Sequence, residues 1–396
     1  MLKKLIQLCL IPLFLVACEP KTTSTEDPLA RYIEATKMTY APDKRVALFD
    51  VQSAKINRDL VLRGMTNLPE ALADFKSKLA TDNISYIDSI EVLPSNEVQG
   101  HTNAIIKLSV ANLRSLPKHS AELSTQAILG TPVSVYKKES NWYLIQTPDR
   151  YLAWVDSGGL TLMDNTSFAA WKAAPKVVYL AIAGFSYEEP NETSQVVSDL
   201  VAGNILEDLG QVGNFHKVRY PDGRIAYIPN QNVMPYTTWL AKLNPTQEQL
   251  VDTGKKMMGA PYLWGGTSSK GMDCSGFTKT IYFLNGMIIP RDASQQIHTG
   301  LLVDDAKDFS QLNPGDLLFF GKPATDTSKE RVVHVGMWIG ENQFIHAAGN
   351  VHVSSVDPET ANYDAYNVGR YLRSKRLLDQ PDQAIIDLTK TTVFRN

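Results

Sequence analysis

Apolar and polar positions alternate with period two in two stretches of this chain, NWYLIQTPDRYLAWV at 141–155 and NFHKVRYPDGRIAYI at 214–228, which stand 73 positions apart. Each reads as an aromatic-rich strand, a Pro-Asp turn and a second strand, because alternation sends successive side chains to opposite faces of a pleated ribbon. At the same offset Gly130 falls on Gly203, so the repeat reaches beyond one hairpin. The pattern predicts two small antiparallel β modules in tandem, at 105–161 and 177–235. Trp142, Trp154, Phe215 and Tyr227 are expected to form their cores. Tyr151 stands apart, since the second copy has Arg224 at its place.

Upstream, Leu68, Leu72, Phe75 and Leu79 recur at spacings of four, three and four, which predicts a helix over 68–79. It belongs to a small α+β region at 28–104 in which nothing suggests chemistry. Downstream, Phe277, Ile281 and Leu284 predict a second helix, with Asp273 as its N-cap and Cys274 in its first turn. The alternating run 331–339, the turn residues Gly340, Glu341 and Asn342, and the run from Gln343 predict a hairpin. With a three-residue loop Ile339 pairs with Gln343 and His346 falls opposite Gly336, so His334 and His346 share a face. A two-residue loop would put them on opposite faces.

The start of the chain changes how the cysteines are read. Lys3 and Lys4, the apolar run 5–16 and the stretch Leu15, Val16, Ala17, Cys18 have the layout of a bacterial export signal. The run is too short to be a secure membrane span. Small Ala17 just before Cys18, after Leu15, resembles the lipobox of bacterial lipoproteins, which implies a signal peptide at 1–17, lipid on Cys18 and a polar tether at 18–27, hence an exported, membrane-anchored lipoprotein that faces the periplasm. An ordinary signal with an incidental Cys18 is the alternative. Of three cysteines, Cys9 leaves with the signal and Cys18 takes lipid, so Cys274 has no intramolecular disulfide partner. It is either a reactive thiol or an inert buried one. Without Lys3 and Lys4 the chain has 37 basic residues against 42 acidic, and no basic tract suggests nucleic acid. Its 396 residues, 43% of them hydrophobic, allow two to four domains, and a monomer is expected.

At the first turn of a helix, unsatisfied N–H groups and the dipole favour thiolate, so a lowered pKa is expected for Cys274. The glycine-rich run 262–271 ahead of it lets backbone and substrate approach closely. A nucleophilic thiol needs a base, and His334 with His346 behind it completes a Cys–His–polar triad. Zinc held by the same three residues is a competing reading, but they lack the close ligand spacing of structural zinc.

Six stretches in order, PYLWGGT at 261–267, DCSGF at 273–277, PRD at 290–292, PGDL at 314–317, HVG at 334–336 and FIHA at 344–347, are similar to the ordered motifs of the NlpC/P60 family of papain-like peptidases, over 246–376. The two repeats resemble bacterial SH3 domains, the first more closely. Together they resemble the γ-D-glutamyl-L-diamino acid endopeptidases of the dipeptidyl-peptidase VI type. The resemblance implies an α+β chain, with a papain-like catalytic domain preceded by two SH3-like β-barrels and the N-terminal region. It implies Cys274 as nucleophile, His334 as base, His346 as third member, and Tyr262 joining the Cys274 N–H at the oxyanion. Asp273, Ser275 and Asp292 match positions near the substrate's D-glutamate and free α-amine. Glu122 and Tyr151 would bind that amine from the first module. No cofactor is implied, and the partners implied are peptidoglycan-derived peptides of the form L-Ala-γ-D-Glu-diamino acid. Still open are Asp292 as a salt-bridge partner of Arg291, Glu122 as a solvated acid, and Tyr262 as packing against Trp264. So are a cut at another wall bond, such as an amidase or intact-stem cut, and a non-catalytic wall-peptide binder. His298 and His352 lack any motif and are expected to be surface or core residues.

Overall fold

The structure is a computed structural model describing residues 29–57 and 59–395; the expected signal peptide, tether and Cys18 lie outside the described residues. In the N-terminal region the helix spans Pro69–Thr81 and buries Ala71, Leu72, Phe75 and Leu79. Leu68 precedes it and Pro69 opens it, at a position whose amide would have no helical partner anyway. It packs with the helix Ala30–Tyr40 against three strands, Phe49–Ile56 antiparallel to Asp59–Thr66, and Ile87–Val92 parallel to the latter.

Two seven-stranded antiparallel sheets follow. The spatial order in the first is Leu160–Met163, Asn103–Ile106, Pro132–Glu139, Trp142–Gln146, Leu152–Asp156, Val110–Arg114, Leu123–Ile128. In the second it is Val233–Pro235, Lys176–Tyr179, Ile205–Val212, Phe215–Arg219, Ile225–Pro229, Ala183–Tyr187, Val196–Val201. Taken in chain order within each copy, the two arrangements are the same strand for strand, so the repeat is one of topology as well as of sequence.

The four aromatics expected in the module cores are placed differently. Tyr143, Ile145, Ala153 and Val155 point into the first core, while Trp142, Leu144 and Trp154 form a separate cluster with Leu93, against Leu48 and Met65 of the N-terminal region. Their counterparts in the second copy, Phe215 and Tyr227, are only half-buried.

The shared glycines also explain how the units stack. Gly130 has φ 84°, and a Cβ there would stand 2.2 Å from the carbonyl oxygen of Ile205 in the second module. Gly203 has φ 88°, and its Cβ would meet the Phe283 ring at 2.6 Å on the next unit. Each copy uses one left-handed glycine to seat the following unit against its backbone.

The last unit packs the helices Gln247–Lys255 and Cys274–Leu284 on a six-stranded antiparallel sheet ordered Leu301–Asp304, Tyr371–Arg376, Leu317–Lys322, Arg331–Gly340, Gln343–Ala348, Asn350–Ser355. Phe277 and Ile281 are buried in this core with Phe319, Val335 and Ile345, as their helical spacing requires.

The hairpin closes through two residues, Glu341 and Asn342, both with positive φ, and Gly340 pairs with Gln343. A two-residue turn alone would have split the histidines. A bulge at Ile339 absorbs one position, so Trp338 pairs with Phe344 and Met337 with Ile345. The register beyond the bulge is therefore that of a three-residue loop, with Gly336 beside His346: a Cβ on Gly336 would lie 3.3 Å from that of His346.

Candidate active site

Asp273 caps the helix Cys274–Leu284, its Oδ1 accepting the Gly276 N–H at 2.7 Å. Its Oδ2 accepts the Gly265 N–H at 2.9 Å, and Arg291 donates to both oxygens at 3.1 and 2.7 Å. Ser275 donates to Oδ1 at 3.3 Å and accepts from Arg291 at 2.9 Å. Both oxygens of Asp273 are engaged, and Ser275 is buried among the same groups. These two side chains therefore fix the helix start and the glycine-rich loop. Arg291, 1% exposed, also donates to Thr125 Oγ1 of the first module at 2.8 Å, so one buried guanidinium ties that module to the cysteine's helix.

Cys274 is 7% exposed, and its sulfur lies beside the backbone N–H groups of Val335 and Ser275. Val335 follows His334 on the strand Arg331–Gly340, so the thiol rests on the backbone that presents that histidine. Burial, followed by the Asp273 carboxylate, pushes the thiol up to about 12, opposite to the lowering expected from the helix start. The reason is competition: the dipole's favourable effect is a fraction of a charge, whereas desolvation acts on the whole thiolate and Asp273 repels it.

His334 Nε2 lies 2.7 Å from His346 Nδ1, and His346 Nε2 lies 3.0 Å from Ser354 Oγ. Both rings are buried, and burial holds each down to about 3, with the Arg370 guanidinium adding to this at His334 and the His334 ring adding to it at His346. At neutral pH both are uncharged and share one proton along their common axis. Both ring nitrogens of His346 are engaged, one by His334 and the other by Ser354. His352 pairs with His346 across the next strand, its ring 4.4 Å away, and is held by Asn350 at 3.0 Å; His298 is exposed.

The hydroxyl of half-buried Tyr262 is raised well above the ordinary tyrosine range by burial and by the nearby Cys274 and Asp273. It stays protonated and can donate.

At the other end, a Cβ on Gly265 would stand 2.3 Å from the Leu123 carbonyl oxygen, so the first module lies directly on the glycine-rich loop. Gln126 accepts the Thr267 N–H at 2.9 Å, and Asp149 of the Pro-Asp turn pairs with Lys279 on the cysteine's helix. Glu122 accepts from the indole N–H of Trp264 at 2.8 Å, and that indole is 63% exposed. Tyr151 is buried and lies beside the Asp292 carboxylate; burial first, then the charge of that carboxylate, raise its hydroxyl far above its usual range. Asp292 also pairs with Arg45 Nη1 at 2.8 Å, while Arg291 is 3.8 Å away and turned toward Asp273. The Arg291 pairing left open by the sequence is present at that longer distance, and Arg45 was not anticipated.

Cys274, His334, His346 and Tyr262 thus stand around one helix start, and Glu122, Tyr151 and Asp292 where the first module meets it. Ser354 was missed, although carrying the alternation past Gly349 would have placed it diagonal to His346. Arg45 left no such signal.

A family model described as the NlpC/P60 family matches residues 259–372, and one described as the bacterial dipeptidyl-peptidase SH3 domain matches 113–160. A γ-D-glutamyl-L-lysine dipeptidyl-peptidase of Bacillus cereus is 34% identical over 57% of this chain and 67% of its own length. A dipeptidyl-peptidase 6 of Lysinibacillus sphaericus is 31% identical over 66% of this chain and 94% of its own. The crystal structure of an NlpC/P60 family protein from Bacillus cereus superposes with a TM-score of 0.59 at 28% identity, covering 70% of this chain and 99% of that one. The histidine pair behind a helix-start cysteine, together with these matches, places the chain in the NlpC/P60 family of cysteine peptidases, with a dipeptidyl-peptidase type SH3 domain ahead of its peptidase unit.

Proposed function

We propose that this protein cuts peptidoglycan-derived peptides between γ-D-Glu and the diamino acid, and that it requires a free N-terminal L-Ala. The observation that supports this most is the meeting of Tyr151 from the first module with Asp292 from the peptidase unit, while Glu122 of the same module reaches Trp264 of the glycine-rich loop. Carboxylates at this junction suit a substrate ammonium, and a module seated there would reject a glycan-linked stem.

In the proposed mechanism both histidines begin neutral. His334 Nε2–H donates to His346 Nδ1, and His346 Nε2–H donates to Ser354 Oγ, which leaves the His334 Nδ1 lone pair for the thiol. His334 takes the Cys274 proton as sulfur attacks the γ-carbonyl of D-Glu. The oxyanion accepts from the Cys274 N–H and the Tyr262 hydroxyl. Protonated His334 then gives its proton to the leaving amine, the C–N bond breaks, and a thioester remains. Water, deprotonated by His334, attacks the thioester to release L-Ala-D-Glu and restore the thiol. Starting from a neutral pair, the thiolate forms only as the proton moves, which suits a sulfur this deeply buried.

The proposal extends to location: Cys18 would carry lipid and hold the enzyme on a membrane facing the periplasm, where wall fragments pass. Mass spectrometry of L-Ala-γ-D-Glu-meso-diaminopimelate and its N-acetylated form, incubated with the protein and its Cys274→Ala variant, tests the activity. Release of L-Ala-D-Glu from the free-amine peptide, by the unaltered protein alone, is expected. Equal cutting of both peptides would remove the amine requirement, and cutting of neither would remove the bond assignment.

A further inference from the structure

Arg45 belongs to the N-terminal region, 247 residues before Asp292, yet it joins both sides of the proposed amine pocket. Its Nη1 donates to Asp292 Oδ2 at 2.8 Å and to Ser294 Oγ at 2.9 Å. Its Nε and Nη2 form a two-pronged pair with Asp43, at 2.8 Å each. Its backbone carbonyl accepts the N–H of Leu152, the residue after Tyr151, at 2.7 Å, and the next carbonyl, of Val46, accepts from Gln146 at 2.9 Å. Gln295 in turn donates to Asp43 at 2.7 Å. Main chain thus holds the Tyr151 strand and side chain holds Asp292.

We infer that Arg45 is a positioning residue for the substrate's amine, setting Asp292 against Tyr151 so that their shared pocket is formed before substrate arrives. The inference rests on the activity proposed above. Charge accounting distinguishes it from a plug. The guanidinium is already matched by Asp43, so Asp292 and Glu122 keep their negative charge for an incoming ammonium. One carboxylate can accept about four hydrogen bonds, and Asp292 takes one from Arg45 in this structure, with the Tyr151 hydroxyl beside it. Without Arg45, Asp43 and Asp292 would lose the cation they share, Arg291 standing 3.8 Å from Asp292 and turned toward Asp273, and repulsion would turn Asp292 out of line with Tyr151. Lysine could reach one of the two acids but not fork between both.

The test is steady-state kinetics of the full-length protein and its Arg45→Met and Arg45→Lys variants, on L-Ala-γ-D-Glu-meso-diaminopimelate and its N-acetylated form. For Arg45→Met the KM for the free-amine peptide should rise about tenfold or more, the scale of a lost charge-assisted hydrogen bond, with kcat within about twofold. Any residual turnover of the N-acetylated peptide should be unaffected, and Arg45→Lys should recover part of the loss. An unchanged or lower KM, or equal loss on both peptides, overturns the inference. If Arg45→Met gives no cooperative melting transition, Arg45→Lys decides, and an unchanged KM there overturns it. An unaltered protein that does not prefer the free amine defeats the activity reading itself; a preference kept in full by the Arg45 variants defeats this inference alone.

Discussion

Acidification from pH 7 to 4.5 should weaken the fold through His334 and His346. Each is held down to about 3 by burial, against an ordinary value of 6.5. Between those values the unfolded chain binds protons that the folded one refuses, so stability is complete above about 6.5 and falls as pH drops below it. At pH 4.5 one such histidine costs about 2.5 kcal/mol relative to pH 7, and two cost about 5 kcal/mol. That is a large part of the roughly 5–15 kcal/mol by which domains are stable. The carboxylates do not confuse this window. Asp43, kept low by Arg45 in spite of burial, gives up its contribution only once the pH falls below about 3.8. The assay is urea unfolding followed by tryptophan fluorescence at both pH values, for the unaltered protein and for His334→Gln/His346→Gln. The double variant should lose little between pH 7 and 4.5. A loss below about 1 kcal/mol in the unaltered protein, or an equal loss in the double variant, would refute the assignment of neutral, buried imidazoles.

Alkylation of Cys274 by iodoacetamide should be slow at pH 7 and climb about tenfold per pH unit through pH 9, because only thiolate reacts and the thiol is pushed up to about 12; a plateau near neutrality would mean that the resting state is an ion pair with His334. Ser354→Ala removes the hydroxyl 3.0 Å from His346 Nε2 and should lower kcat about tenfold while KM holds, as measured in the same kinetics; an unchanged kcat would drop Ser354 from the relay. Glu122→Gln combined with Tyr151→Phe should raise KM for free-amine peptides without shifting the melting temperature by more than a few degrees; unchanged kinetics would remove the first module from the site.

Much of this arrangement was readable in the chain because it depends on local spacing. The intervals between Phe277, Ile281 and Leu284 put a helix after Asp273, and Cys274 stands at its start. Alternation on either side of Gly340 put His334 and His346 on one face, although the turn that achieves it has two residues and the Ile339 bulge makes up the difference. A bulge depends on the twist and packing of the whole sheet, and no local pattern announces it. The thiol's pKa was misjudged for a similar reason. The dipole at a helix start is a local property, but the desolvation that overrides it comes from everything packed around the sulfur.

By itself the sequence determined the units, their order and the chemical types at the helix start and hairpin, since each follows from periodicity within some twenty residues or from a repeat compared with itself. Only the tertiary structure decided what stands between the units. It turned Trp142 and Trp154 outward to the N-terminal region, spent Asp273 and Ser275 on Arg291, and brought Arg45 across 247 positions to Asp292. Contacts between separately folded surfaces are chosen by shape and charge, summed over both partners, and neither partner's stretch of chain records that sum alone.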